Sequence, residues 1–329
     1  MTREVAILGG GISGLATARR LLDRGFRVDL YEADDRLGGL ALDHEAHGIR
    51  FERFYHCLLP SDTALLRHVR ELGLEHELRW RRTGMGFRFE GRLHPLNSPL
   101  DVLRFPPLRL RERLRLARLA LEARRRGLDP TLDDVTAAAW VRGLVGERVF
   151  EVLWRPLLEA KIGDRYAELP ALWLSSRLHR EKDGSPEEKG WLRGGYRGLV
   201  DAIAADLRAR GARIHLRTPV AALEPGPLDV RLRLGDGSER RHATVVATTP
   251  LPVLRRMAGP ALPDDVAKLD LDSQGVVTGV FLTRRPLSPF YWTPWVRCGT
   301  TAQGVIERSN LVPLGETRGL HVSYLVNYA

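Results

Sequence analysis

The run from Val5 to Glu32 limits the folds open to this chain more than any other stretch. Val5 to Leu8 are four apolar residues that read as a buried strand, and Gly9, Gly11 and Gly14 follow at the spacing of a dinucleotide-binding turn. Gly9 permits the sharp strand-to-helix turn, Gly11 lets main chain approach a pyrophosphate, and Gly14 lets the helix pack closely on the sheet. The helix expected from Ile12 to Arg24 aims its first amides, those of Ile12 and Ser13 among them, at that phosphate. Leu15, Ala18 and Leu22 share one face and Gly25 is a stop signal. A second strand, Arg27 to Tyr31, ends on Glu32, whose carboxylate is placed to accept hydrogen bonds from a ribose and to repel a 2′-phosphate. Strand, turn, helix, strand and acid within one βαβ length make a nucleotide site the expectation.

After Glu32 comes Ala33, and then Arg36-Leu37-Gly38-Gly39-Leu40. A plain nicotinamide domain has no use for a second glycine pair. A larger dinucleotide lying extended over the sheet needs a second close main-chain approach and a nearby cation. The segment resembles the FAD-binding opening of the amine oxidase, protoporphyrinogen oxidase and phytoene desaturase superfamily. The resemblance implies an α/β fold: a Rossmann-like FAD-binding domain of the GR2 flavoprotein type, with an inserted helical and mixed-sheet substrate domain. It also implies Glu32 as ribose ligand and Ala33, Arg36, Gly38, Gly39 and Leu40 as further cofactor contacts. Where the amine oxidase branch usually carries arginine after the glycine pair, Leu40 stands here. That points away from strict amine oxidation and toward the desaturase-like or protoporphyrinogen-oxidase-like side.

At 329 residues the chain is expected to hold two domains. The FAD domain is expected at 1–75 and 190–255, and the substrate domain at 76–189 and 256–329. Gly48 to His56 reads as a strand leading to Tyr55 and His56, which either contact substrate or flavin or fill the domain junction. Leu108 to Arg126 reads as a basic helix with Leu110, Leu114, Ala117 and Leu121 on its apolar face. Such a helix is either a solvated outer face or a peripheral contact with an anionic membrane. Helices follow at 132–144, capped by Thr131, and at 147–160, passing through Pro156; 181–189 reads as a loop.

The chain then returns to α/β character. Gly194 and Gly195 precede a helix and face the flavin or simply turn the chain, while the resemblance gives Val220 a main-chain contact with adenine. Strands follow to the end of the chain. The third contact region that the superfamily places near its C-terminus has no counterpart after Pro250. Either the chain is partial or the flavin site is completed differently.

The formal charge of +10 invites a nucleic-acid reading, but only four of the 51 cationic residues are lysines and the arginines are spread throughout. No recognition-helix, RNP-like or zinc-finger pattern supports that reading. Cys57 and Cys298 form neither a disulfide framework nor a zinc motif, and His44 and His47 with Glu45 lack a third ligand nearby, so no metal is expected. With no apolar run of spanning length and no signal-peptide core, a cytoplasmic enzyme is the expectation. Its expected chemistry is hydride transfer from an apolar or porphyrin-like small molecule to FAD. A sugar-mutase-like flavoenzyme and a nucleotide-binding remnant without activity stay open, and the sequence names no catalytic group beyond Tyr55 and His56.

Overall fold

The computed structural model describes residues 4–89, 91–180, 188–271, 273–295, 300 and 302–328. Cys298 and most of the loop expected at 181–189 lie outside them, although Glu188 and Lys189 open a strand, Glu188–Leu192. The chain divides into two compact units.

The first unit comprises residues 4–54, 67–77 and 194–273. Its centre is a parallel sheet in the order Thr244–Ala247, Glu4–Leu8, Arg27–Tyr31 and Arg213–His215. Val5 to Leu8 are buried, as an unbroken apolar strand in a parallel sheet requires. The helix Ile12–Asp23 follows its turn directly and buries Gly14, Leu15 and Ala18. Arg19 on that helix is 8% exposed and holds Asp206 at 2.9 Å and Glu71 at 3.0 Å, tying it to the helix Tyr196–Ala209. An antiparallel meander, Val220–Pro225, Val230–Leu234 and Glu239–His242, turns at Asp236-Gly237 and packs Leu223, Leu232 and Leu234 against Ala6, Leu8 and Tyr31.

The second unit comprises residues 55–66, 78–193 and 274–328. One part is an antiparallel sheet in the order Val276–Thr283, His321–Tyr328, Gly304–Glu307 and Trp292–Pro294. The other is helical, with a core that includes Phe105, Leu119, Ala123, Val141, Val145 and Phe150.

Three helical expectations are corrected. The helix expected from residue 132 is a 3₁₀ turn, Pro130–Asp134, opened by the Asp129 side chain, followed by a separate helix Ala137–Val145. The cap of that helix is Thr136, which accepts from Ala139 N at 3.2 Å, not Thr131. The run 147–162 is continuous, but Phe150–Trp154 is π-helical ahead of Pro156, where the missing N–H breaks the ordinary ladder.

In the helix Leu110–Arg126 the stripe Leu110, Leu114, Ala117 and Leu121 faces solvent, and Leu119 and Ala123 are buried in its place. Two apolar stripes run along this helix, and the core takes the one that meets the helix Ala171–Arg180 and Ala137–Val145.

Candidate functional site

The turn after Leu8 is built on main chain. Gly9 has φ +104° and donates its N–H to Tyr31 O at 2.9 Å. Thr248 Oγ1 donates to Leu8 O at 2.9 Å and Gly9 O at 3.2 Å, so a residue from the far end of the unit pins the turn. A Cβ on Gly14 would stand 1.9 Å from Gly9 O, which no side chain allows. Gly11 differs, since a Cβ there would meet nothing nearer than Gly39 Cα at 4.0 Å. Ile12 and Ser13 form the first turn of the helix beyond it, half-buried and exposed respectively.

The second glycine pair lies against the first turn. Gly38 donates to Gly10 O at 2.9 Å and Gly38 bridges Gly11. Gly38 and Gly39 take φ +132° and +56°, and a Cβ on Gly39 would come within 3.1 Å of Gly11 Cα. Two glycine-rich strips thus run side by side, buried where Gly10 meets Gly38 and open at Gly11 and Gly39, which leaves main chain for a cofactor diphosphate to approach. Glu32 closes one end. Its carboxylate accepts from Gly10 N at 2.6 Å and from Asp34 N at 2.8 Å. Ala33 is exposed beside it.

Gly10 is a residue that sequence reasoning missed: a Cβ there would meet Leu37 Cδ2 at 2.5 Å and Glu32 Oε2 at 2.9 Å. The signal was present in the unbroken run Gly9-Gly10-Gly11.

The strip carrying Val220 joins the same place. Thr218 N donates to Glu32 O at 2.8 Å and Arg217 N to Asp34 O at 2.9 Å, while Val220 begins the meander opposite Leu234. Gly9, Gly11, Glu32, Gly38, Gly39 and the approach to Val220 are therefore neighbours. Thr249 adds a buried hydroxyl with no hydrogen-bond partner among the described residues, its methyl 3.5 Å from where a Cβ on Gly9 would stand. Arg36 is not an isolated cation, because its guanidinium donates to the side chain and carbonyl of Asp43, each at 3.3 Å. Leu40 stands 71% exposed at the lip. Gly195, with φ +78°, caps the helix Tyr196–Ala209, and a Cβ there would lie 3.0 Å from Glu52 Oε1. The residues present fit a flavin dinucleotide, with main chain free of side chains at Gly11 and Gly39.

Beneath the same sheet lies a buried polar group. Asp29 is 2% exposed, accepts from His215 Nε2 at 2.9 Å and is hydrogen-bonded by Arg213, which also reaches Glu4. Burial alone would raise the Asp29 pKa, but the bonds from Arg213 and His215 outweigh it and hold the carboxyl below its ordinary value. Burial pushes Tyr31 up to about 12 and His242 down, so a neutral phenol and a neutral ring share the hydrogen bond between Oη and Nε2 at 3.0 Å. Glu4, Asp29 and His242 could geometrically share a cation, but the guanidinium of Arg213 already joins the two acids.

In the second unit Tyr55 is hydrogen-bonded to the hydroxyl of Tyr328 and meets the Tyr324 ring edge-on at 6.2 Å. Burial, then the neighbouring Tyr328, raises the Tyr55 pKa far above its usual value. His56 is half-buried beside it in sequence. Lys161, which sequence reasoning passed over, hydrogen-bonds Tyr328 Oη through its ammonium. Lys268, by contrast, is exposed and paired with Asp264 at 2.8 Å.

Residues 12–325 match the family described as flavin-containing amine oxidoreductase. Coproporphyrinogen III oxidase of Staphylococcus aureus is 23% identical over 314 residues, covering 85% of this chain and 67% of that protein. The Bacillus subtilis protein of the same name is 25% identical over 285 residues, covering 75% of this chain and 60% of that one. The chain thus spans about two thirds or less of the length of these relatives. The crystal structure of an oxidoreductase from Methanosarcina mazei superposes with a TM-score of 0.76 at 18% identity, covering 99% of this chain and 79% of the other. With a family match running through both units, the chain belongs to the flavin-containing amine oxidoreductases.

Proposed function

We propose that the protein is an FAD-dependent oxidoreductase that takes a hydride from an apolar or porphyrin-like organic substrate. The observation that carries this reading is the double glycine cradle closed by Glu32. FAD, when bound there, supplies the two-electron acceptor. The work of this chain is to hold it: the turn amides take the diphosphate, Glu32 takes the ribose, and the main chain near Val220 takes the adenine. Leu40 in place of a cation beside the second glycine pair supports a porphyrin-like substrate over an amine, while the relatives carry both kinds of name, coproporphyrinogen III oxidase and putative flavin-containing monoamine oxidase.

The purified chain is expected to be yellow, with flavin absorbance near 450 nm. Glu32→Ala removes a charged acceptor from the ribose and is expected to weaken FAD binding about 10- to 100-fold, measured by quenching of flavin fluorescence. Anaerobic bleaching by a porphyrinogen supports the reading. Isomerisation of a nucleotide sugar without net reduction would convert it to a mutase, and absence of bound FAD would reduce it to a remnant.

A second reading concerns where the enzyme works. Leu110, Leu114 and Leu121 are 65%, 61% and 58% exposed along one helix, between Arg111, Arg115, Arg118, Arg124 and Arg125. Among the described residues no helix is long and apolar enough to cross a membrane. This helix has what lying on an anionic surface requires, exposed apolar side chains rimmed by cations. The protein is expected to sediment with phosphatidylglycerol vesicles and not with phosphatidylcholine vesicles, and the triple variant L110E/L114E/L121E is expected to stay in the supernatant. Equal recovery of wild type and variant with anionic vesicles overturns this reading.

A further inference from the structure

Lys161, in the last turn of the helix Arg155–Ile162, lies over the ring of Tyr328 with Nζ 3.7 Å from its centroid and hydrogen-bonds the hydroxyl of the same residue. That hydroxyl also bonds Tyr55 Oη. The main chain around the trio is pinned. Gln303 accepts from Tyr328 N at 2.6 Å and donates to Tyr328 O at 3.4 Å, and Gln274 donates to Lys161 O at 2.7 Å. Arg177, on the helix Ala171–Arg180, is near enough to Tyr55 for its charge to favour the ionised phenol.

The count of donors is the argument. An ammonium has three N–H groups and spends one on Tyr328; two phenols have two O–H groups and spend one on each other. Two N–H groups and one O–H remain with no acceptor among the described residues. Nor does Lys161 or Arg177 have a carboxylate partner among them; Glu159, two positions before Lys161, is spent on Arg155 at 2.7 Å. A half-buried ammonium with no counter-ion among the described residues, beside two hydroxyl donors, is arranged to receive an anion.

We propose that Lys161, Tyr328 and Tyr55, with Arg177 at the margin, form a binding subsite for a carboxylate of the substrate, so that the second unit selects an organic anion over an alkylammonium. The inference rests on the oxidoreductase reading only in calling that anion a substrate. A carboxylate placed there gains charge-assisted bonds to Lys161 Nζ and a phenolic O–H. An alkylammonium of the same size meets like charge and finds no carboxylate. The Tyr55 hydroxyl stays protonated through the neutral range, since burial raises its pKa, and so remains a donor or relays one to Tyr328.

The test is calorimetric titration of the purified chain, with whatever flavin it retains, against benzoate and against benzylamine, which differ mainly in the sign of their charge. Wild type is expected to prefer benzoate by about tenfold or more, Lys161→Met to bring the two ligands within about threefold, Lys161→Arg to keep the preference, and Tyr328→Phe to fall between. Absence of benzoate binding by wild type, or an unchanged preference in Lys161→Met, overturns the proposal. If Lys161→Met fails to fold, Lys161→Arg and Tyr328→Phe decide it: lost preference in the first or full preference in the second overturns it. Failure of the oxidoreductase reading looks different, since the purified chain would then hold no FAD while the benzoate preference persisted.

Discussion

Gly14→Ala is expected to destabilise the first unit strongly, whereas Gly11→Ala is expected to leave the fold intact and abolish useful FAD binding. Both substitutions add one methyl group to the same turn. At Gly14 that methyl would sit 1.9 Å from Gly9 O and 2.9 Å from Thr248 Oγ1, so helix and sheet must separate. A forced separation in a packed interface costs about 3 kcal/mol or more and should lower Tm by roughly 5–10 °C. At Gly11 the methyl has room, with Gly39 Cα at 4.0 Å as its nearest neighbour and an ordinary φ of −72°. The folded protein loses at most about 1 kcal/mol from the weaker N-cap. The room that methyl fills is the room a diphosphate needs, so FAD affinity is expected to fall by about 100-fold. Melting curves of cofactor-stripped protein, paired with flavin titrations, separate the two effects. Wild-type affinity in Gly11→Ala would place the cofactor elsewhere.

The second large effect is expected at Asp29. Asp29→Asn keeps the shape but removes the charge that Arg213 and His215 bind, and leaves an amide facing donors at a 2% exposed position. The expected cost is about 2–3 kcal/mol at neutral pH. The sign of the pH dependence follows from the directions of two shifts. The folded pKa of Asp29 lies below its ordinary 3.8, so its contribution is present above that value and is lost as pH falls through the folded pKa. His242 is held neutral by burial, with its pKa below 6.5, so protons favour the unfolded chain and stability also falls as pH drops below 6.5. Melting temperature followed from pH 8 to pH 3 should therefore decline in two stages, the first below 6.5 and the second below about 4. Asp29→Asn should flatten the second stage. A second stage as steep as wild type in Asp29→Asn would show that other carboxyls carry it.

What was legible in the sequence was what depends on neighbours in sequence. The turn at Gly9 to Gly14, the acid at Glu32 and the hairpin at Asp236-Gly237 each follow from local geometry, and each is where the spacing puts it. Thr248 reaches the turn from 239 positions beyond Gly9, and no local rule connects them. Lys161 acquires its role only when two sequence-distant tyrosines meet it. The helix Leu110–Arg126 failed for another reason: periodicity reports that an apolar stripe exists, and with two stripes present only the surrounding core decides which one it covers.

The central sheet also bears on how the enzyme is made. Val5 pairs with Thr244 and Asp29 with Arg213, so each of the two strands flanking the cofactor turn waits for an outer partner encoded more than half the given sequence later. At ordinary translation rates that interval is roughly 10–50 s, during which the nascent N-terminal segment is exposed on the ribosome without its sheet. The parallel sheet under the cofactor turn can therefore close only after Thr244 has emerged, and until then the turn has no finished sheet to rest on.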